Sequence, residues 1–142
     1  MKIKEKVFIT KNSQETKKLG RDFAKTLKKG DVVCLYGDLG SGKTTFTQGL
    51  AEGLGIKEKI ISPTFLIIRT YPPKNFYHVD LYRVANNNLQ ELGLQEILKD
   101  PSNITAIEWA QNLKEELPKK RIDIIFSHEK ENTRRITFSL TT

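Results

Sequence analysis

The segment Gly37–Thr44 constrains the fold of this 142-residue chain more than any other part of its sequence. It reads GDLGSGKT and matches the pattern G-x-x-x-x-G-K-[ST], whose glycines let the backbone wrap closely around a phosphate group. The apolar run at residues 32–36 precedes it and is typical of a buried strand. After it, Phe46 and Leu50 recur at helical spacing, and Gly55 is a helix stop signal. Strand, loop and helix follow in the order that a phosphate-binding loop requires, so the sequence predicts a nucleotide site.

The residue types of this loop predict what each part does. Backbone N–H groups of the loop, together with the unpaired amides at the start of the next helix, stabilise an anion. The ammonium group of Lys43 is predicted to reach the outer phosphates, and the hydroxyl group of Thr44 to ligate Mg²⁺. The predicted nucleotide-binding residues are Gly37, Asp38, Leu39, Gly40, Ser41, Gly42, Lys43, Thr44 and Thr45.

The composition suits a soluble globular protein, because 37% of the residues are hydrophobic and 29% are charged. The length predicts one domain over residues 1–142. No apolar run approaches the length of a membrane span, and residues 1–6 lack the apolar stretch of a signal peptide. The single cysteine, Cys34, excludes an internal disulfide and fits a reducing compartment. We therefore expect a cytoplasmic protein with no membrane role, and the oligomeric state stays open.

The net charge of +7 comes from the first 30 residues, which hold ten Lys and Arg against three Asp and Glu. Within them, Asn12 is a predicted helix N-cap, Glu15 has the spacing of a capping box, and Gly30 is the predicted helix end. One face of this helix is basic and carries Lys18, Arg21, Lys25 and Lys28. A solvated surface is the favoured interpretation, and contact with RNA or with an acidic protein is the alternative.

The rest of the chain alternates short apolar runs with helical patterns. Strands are predicted at residues 6–10, 66–68, 76–79, 104–107, 122–126 and 135–140. A polar break at 86–88 is the predicted cap of a helix that ends at 100–101, and a short helix through Leu113 is predicted to end before Pro118. The runs at 66–68 and 76–79 would form an antiparallel hairpin, and polar residues 127–133 would join the last two strands. This alternation indicates an α/β fold with a mainly parallel central sheet, antiparallel edge strands and flanking helices.

Two acidic residues follow predicted strands and are candidates for a metal or for the attacking oxygen. Asp80 comes after the run at 76–79, and Glu108 comes after the run at 104–107. In open α/β sheets, ligands bind at the carboxyl ends of the strands. Either acid could hold Mg²⁺ through water or orient a nucleophile, and the sequence does not assign these roles. For Trp109, the next residue, core packing and a site role are equally supported.

Several segments together carry a family pattern: Gly37–Phe46, Ser62–Phe65, His78–Arg83, Leu92–Glu96 and Ile107–Trp109. In this order they resemble the signature blocks of the TsaE (YjeE) family. The resemblance covers most of the chain and is weakest from residue 119 onward. It implies a P-loop ATPase that supports formation of threonylcarbamoyladenosine in tRNA, with ATP and Mg²⁺ as cofactors. It also implies TsaD and TsaB as partner proteins, with tRNA reached indirectly through their complex.

The resemblance also implies roles for individual residues. Lys43 and the loop amides would hold the phosphates, Thr44 and Glu108 would serve Mg²⁺, and Asp80 would lie near the γ-phosphate. Thr64 would be a switch element that senses the nucleotide, and Trp109 would matter for function. The family further implies adenine contacts from the N-terminal segment and from an arginine near Arg134.

Other interpretations are a small-molecule kinase and a basic RNA-binding adaptor whose loop is structural. A kinase usually needs an acceptor pocket and an arginine-bearing lid, for which the chain has no dedicated segment. The adaptor would carry an aromatic-basic RNA motif, which does not accompany the N-terminal charge. A GTPase fits less well, because the sequence has neither N-K-x-D nor D-x-x-G. His78 and His128 lie fifty residues apart without cysteines at ligand spacing, so a zinc site is not expected.

Overall fold

A computed structural model describes residues 2–38, 40–57, 68–72, 75–82 and 93–141 of the chain. These residues form strands β1 (Lys2–Thr10), β2 (Val32–Tyr36), β3 (Ile68–Tyr71), β4 (Phe76–Asp80), β5 (Ile104–Glu108), β6 (Arg121–Lys130) and β7 (Thr133–Thr141). They also form helices α1 (Ser13–Ala24), α2 (Lys43–Gly53) and α3 (Leu94–Lys99), and a 3₁₀ helix over Ala110–Glu116.

The seven strands make one mixed sheet in the order β1-β7-β6-β2-β5-β4-β3. Strands β6, β2, β5 and β4 pair parallel, whereas β1, β7 and β3 pair antiparallel at the two sides. The predicted α/β fold with a parallel centre and antiparallel edges is therefore confirmed. Leu35 and Asp80 both pair with Glu108, so the carboxyl ends of β2, β5 and β4 meet at one edge of the sheet.

The two faces of the sheet bury separate apolar clusters, because alternate side chains of a strand point to opposite faces. In β2, Val33 and Leu35 belong to a cluster with residues of α2, whereas Val32 and Cys34 pack with α3 and the 3₁₀ helix. Burial raises the pKa of the Cys34 thiol to about 12, so this residue is an inert part of the core. Among the described helices, none combines the length and the apolar character needed to cross a membrane.

Helices α1 and α2 approach each other closely at two glycines. A Cβ atom on Gly20 would lie 2.2 Å from the carbonyl oxygen of Phe46, and one on Gly49 would lie 1.9 Å from the carbonyl oxygen of Lys17. Neither position has room for a side chain. A Cβ on Gly42, just before α2, would lie 3.6 Å from the Thr16 side chain. The two helices therefore start at the same end of the sheet, beside the loop Gly37–Thr44.

The predicted start of α1 is confirmed and its predicted end is wrong. The Asn12 side chain accepts a hydrogen bond from the Glu15 N–H group at 2.8 Å, as expected for an N-cap. The Glu15 carboxylate accepts from the N–H group of Lys11, one residue before the N-cap. The helix ends at Ala24 instead of Gly30, because the N–H and hydroxyl groups of Thr26 both donate to the Phe23 carbonyl and tighten the chain into turns.

The last two strands are longer than predicted. The polar run at 127–133 was expected to be a turn, but β6 and β7 continue to pair as far as Lys130 and Thr133. The tip of the hairpin is Glu131-Asn132, and Glu131 has a φ of +49°. Polar side chains are compatible with a strand here because this end of the hairpin is exposed to water.

Other elements differ from the prediction in type or extent. β1 begins at Lys2, and the helix after β5 is a 3₁₀ helix with a kink at Lys114, where φ is +51°. The hairpin of β3 and β4 is confirmed from Ile68 onward, and α3 ends at Lys99 with Asp100 as its C-cap, where the sequence predicts the end of this helix. The predicted strand residues 66–67 and helix residues 86–92 lie outside the described residues.

Candidate functional site

A cavity of about 570 Å³ lies at the carboxyl ends of the parallel strands. Two sets of residues line it. The strand-end wall consists of Lys43, Thr44, Asp80, Glu108 and Trp109. The outer wall consists of Asn12, Ser13 and Thr16 at the start of α1, and of Asn132 and Arg134 at the tip of the β6–β7 hairpin. The volume of the cavity falls within the range of small-ligand sites in proteins, about 300–1,000 Å³.

Three glycines of the loop between β2 and α2 have positive φ angles: Gly37 at +148°, Gly40 at +77° and Gly42 at +107°. Gly37 also has no room for a side chain, because a Cβ there would lie 2.8 Å from the Phe126 carbonyl oxygen. Gly42 is the N-cap of α2 and has no side chain that could bind the first amides of this helix. These amides are therefore suited to an anion in the cavity.

Lys43 is a buried cation, with only 5% of its surface exposed. Its Nζ atom donates to the Gly37 carbonyl oxygen and lies 4.0 Å from the centroid of the Trp109 ring. Burial lowers the pKa of Lys43, and the negative charges of Glu108, Asp80 and, more weakly, Asp38 oppose this shift. The ammonium group is thus largely removed from water and surrounded by acceptors, a π face and carboxylates.

The two acids predicted from the strand pattern lie side by side. Asp80 and Glu108 pair in the register of β4 and β5, and both are buried. Each is the last residue of its strand, so both strands end one residue later than predicted. Burial raises the pKa of Asp80, and a hydrogen bond of 2.9 Å from the Tyr82 N–H group to its Oδ1 atom opposes the rise. The Oε2 atom of Glu108 lies 2.6 Å from Nε2 of His78, which is also buried.

Trp109 turns away from the strand immediately after Glu108, with a φ of +59°. This left-handed conformation is uncommon for a bulky residue. Its ring packs against Tyr82, with ring centroids 4.8 Å apart, and covers the ammonium group of Lys43. Trp109 lines the cavity and also packs against the apolar cluster of α3 and the 3₁₀ helix, so it has a place both at the site and in the core.

Arg134 connects the outer wall to the glycine-rich loop. Its Nε atom donates to the Ser41 carbonyl oxygen and its Nη2 atom to the Gly40 carbonyl oxygen, both at 3.1 Å. Its Nη1 atom donates to the Glu131 carbonyl oxygen at 3.2 Å, within its own hairpin. The guanidinium group therefore fixes the outer side of the loop against the hairpin.

The structure brings most of the predicted site residues to this cavity. Gly40, Gly42, Lys43, Thr44, Thr45, Asp80, Glu108 and Trp109 line it. Gly37, Asp38 and Ser41 line a neighbouring cavity of about 550 Å³ on the other side of the loop. Leu39 and Thr64 lie outside the described residues. Among the residues that are described, no group of three or more His, Cys, Asp and Glu side chains could hold a metal ion.

Sequence reasoning missed His78, Tyr82 and Asn132 as parts of this site. His78 belongs to the family segment His78–Arg83 and is not expected to bind zinc, but the sequence assigns it no role, although it precedes Asp80 by two residues in one strand and so shares its face. The alternation of side chains along a strand, with its period of two residues, could have identified His78. The sequence contains no comparable signal for Asn132, which reaches the cavity because β7 lies between β1 and β6.

Comparisons with known proteins give a consistent result. Residues 10–136 match the family described as "Threonylcarbamoyl adenosine biosynthesis protein TsaE". The tRNA threonylcarbamoyladenosine biosynthesis protein TsaE of Bacillus subtilis (strain 168) is 41% identical over 139 residues, covering 96% of this chain and 87% of that protein. The protein of the same name from Treponema pallidum (strain Nichols) is 36% identical over 131 residues, covering 91% and 96%. The crystal structure of Bacillus subtilis YdiB superposes with a TM-score of 0.86 at 37% identity and covers all of this chain and 88% of that one.

Proposed function

The chain belongs to the TsaE family of tRNA threonylcarbamoyladenosine biosynthesis proteins, and from this premise we propose that it is a Mg²⁺-dependent ATPase that supports this modification. The proposal rests mainly on one observation. A buried lysine, Lys43, lies between a glycine-rich loop and two buried carboxylates, on a cavity large enough for a small ligand. A desolvated cation beside helix amides is suited to the phosphates of a nucleotide.

Several groups in and beside the strand-end wall contribute to phosphate binding in different ways. The Lys43 ammonium group exchanges the Gly37 carbonyl oxygen for phosphate oxygens, and the first amides of α2 bind the same anion. The Trp109 ring holds the ammonium group on its other side. Because these groups are already buried, little water has to be displaced from them when the nucleotide enters.

The donor set of this wall fits Mg²⁺. The hydroxyl group of Thr44 and the carboxylate of Glu108 offer hard oxygen ligands on the same cavity. In nucleotide enzymes Mg²⁺ is commonly held by one or two carboxylates together with phosphate oxygens and waters. Bound there, Mg²⁺ would neutralise charge on the phosphate oxygens during hydrolysis. Asp80 lies beside Glu108, and either carboxylate could orient the attacking water.

We further propose that ATP hydrolysis serves a partner complex and that this chain does not itself modify tRNA. TsaD and TsaB are the proposed partners, with tRNA reached through them. Thr64 is proposed as the switch that reports the nucleotide state to them. The proposed location is the cytoplasm. We also propose that residues 1–142 form one domain.

ATP turnover is the direct test, measured with the protein alone, with candidate small-molecule acceptors, and with TsaD, TsaB and tRNA. We expect slow hydrolysis alone, a changed rate with the partner proteins, and a severe loss in Lys43→Ala and Glu108→Ala. Lys120→Ala and Glu115→Gln are matched controls, because both side chains are exposed and neither residue lines the cavity. Phosphoryl transfer to a small molecule would favour a kinase, and the absence of any nucleotide-dependent step would favour an RNA-binding adaptor.

A further inference from the structure

His78 is a buried polar residue to which the proposed ATPase mechanism gives no role. None of its surface is exposed. It lies on the same face of β4 as Asp80, two residues earlier, and opposite Ala106 of β5. The small side chain of Ala106 leaves the imidazole ring room to extend along the sheet to Glu108, two pairs further on, where Nε2 lies 2.6 Å from Oε2.

The hydrogen-bond geometry decides which nitrogen carries the proton. A carboxylate only accepts hydrogen bonds, so Nε2 of His78 has to be the donor to Glu108. Within the described residues, Nδ1 of His78 is buried and has no hydrogen-bond partner. The tautomer with its hydrogen on Nε2 leaves only a lone pair at Nδ1, which is less unfavourable than a buried N–H group without an acceptor.

We propose that His78 is a positioning residue: by holding Oε2 of Glu108 it fixes the rotamer of this carboxylate and directs Oε1 to Mg²⁺ in the cavity. This inference rests on the proposed function. A free glutamate at the end of a strand can adopt several rotamers, and only some of them reach a metal beside Thr44. A rigid ring packed in the core removes that freedom, as residues that hydrogen-bond to metal-ligating carboxylates commonly do.

The Mg²⁺ dependence of nucleotide binding distinguishes a positioning role of His78 from a purely structural one. His78→Leu removes the donor and keeps an apolar side chain, whereas His78→Gln retains an N–H donor at a similar reach. Val79→Ala is the matched control, because Val79 is equally buried but belongs to the cluster on the opposite face of the sheet. Calorimetry would measure the affinity for ATP with EDTA and at a series of Mg²⁺ concentrations, after thermal melts confirm that each variant is folded.

We expect His78→Leu to bind ATP without Mg²⁺ within about twofold of the original protein. It should need roughly 10- to 100-fold more Mg²⁺ for the same gain in affinity, the effect typical of losing a partner of a metal ligand. His78→Gln should recover most of this loss, and Val79→Ala should keep the original Mg²⁺ dependence. An unchanged Mg²⁺ dependence in His78→Leu would overturn the proposal, as would the same loss in Val79→Ala. If the unmodified protein binds no ATP at all, the proposed function itself fails, and its failure is visible before any variant is made.

Discussion

The two walls of the cavity are built in different ways. In the strand-end wall the important groups are charged and buried, and three of them, Lys43, Asp80 and Glu108, influence one another electrostatically. In the outer wall the side chains other than Arg134 are neutral, and Arg134 binds backbone carbonyl groups instead of carboxylates. The strand-end wall places charged groups where phosphate chemistry would occur, and the outer wall determines the shape of the glycine-rich loop.

This difference between the walls predicts whether a substitution changes mainly turnover or mainly nucleotide affinity, and experiments can test that prediction. Changes in the strand-end wall should act mainly on turnover, because charge matters most in the transition state. Changes in the outer wall should act mainly on nucleotide affinity, because they alter how the loop is held.

Gly37→Ala should have the largest effect, and it changes the glycine-rich loop that Arg134 of the outer wall holds. Its methyl group would lie 2.8 Å from the Phe126 carbonyl oxygen, at a φ of +148° that side chains rarely adopt, so the loop must move. We expect nucleotide affinity to fall by about 100-fold, since displacements near 1 Å can have effects of this size. Gly40→Ala is the matched control, because its φ of +77° is also positive but a methyl group there meets no atom of the described residues within 4 Å. Equal losses of affinity in the two variants, measured by calorimetry, would show that the tight space at Gly37 is unimportant.

Arg134→Ala should have an intermediate effect. It removes charged donors from the Gly40 and Ser41 carbonyl oxygens, and such bonds are worth about 1.5–3 kcal/mol. We expect nucleotide affinity to fall by about tenfold while turnover at saturating ATP changes by less than about threefold. Arg135→Ala is the control, since the neighbouring Arg135 is exposed and pairs only loosely with Glu129, at 3.9 Å. A selective loss of turnover in Arg134→Ala would contradict the division between the walls.

Asp80→Asn should have the smallest effect, and we expect it on the free energy of unfolding measured without nucleotide. Burial raises the pKa of Asp80 above its ordinary value of 3.8. The folded state therefore favours the protonated carboxyl group, and this contribution to stability is present below pH 3.8 and lost as the pH rises through the raised pKa. Denaturation by urea should show Asp80→Asn gaining stability relative to the original protein between pH 3.5 and pH 7. A stability difference that stays constant over this range would exclude a buried ionised Asp80.

Local sequence patterns predict the strand-end wall but not the outer wall, for which only the family resemblance indicated the N-terminal segment and an arginine near Arg134. Lys43 belongs to a recognisable loop, and Asp80 and Glu108 end apolar runs, so short-range patterns were enough to find them. Arg134 and Ser41 are 93 residues apart, and they meet because β6 pairs with both β7 and β2 in the sheet. The polar run at 127–133 even favoured a turn, whereas pairing with β7 makes most of it a strand that carries the hairpin tip to the cavity. Pairing over such distances depends on the whole sheet and not on local propensity.

The central claim is that the glycine-rich loop binds Mg²⁺-ATP and that Glu108 is needed for its hydrolysis. Glu108→Gln tests it most directly, since it keeps the shape of the side chain and removes its charge. At saturating Mg²⁺, calorimetry and turnover should be measured on the same preparation, beside Glu115→Gln as the exposed control. We expect Glu108→Gln to bind ATP within about threefold of the original protein and to hydrolyse it about 100- to 1,000-fold more slowly. Hydrolysis at the original rate by Glu108→Gln would contradict the account.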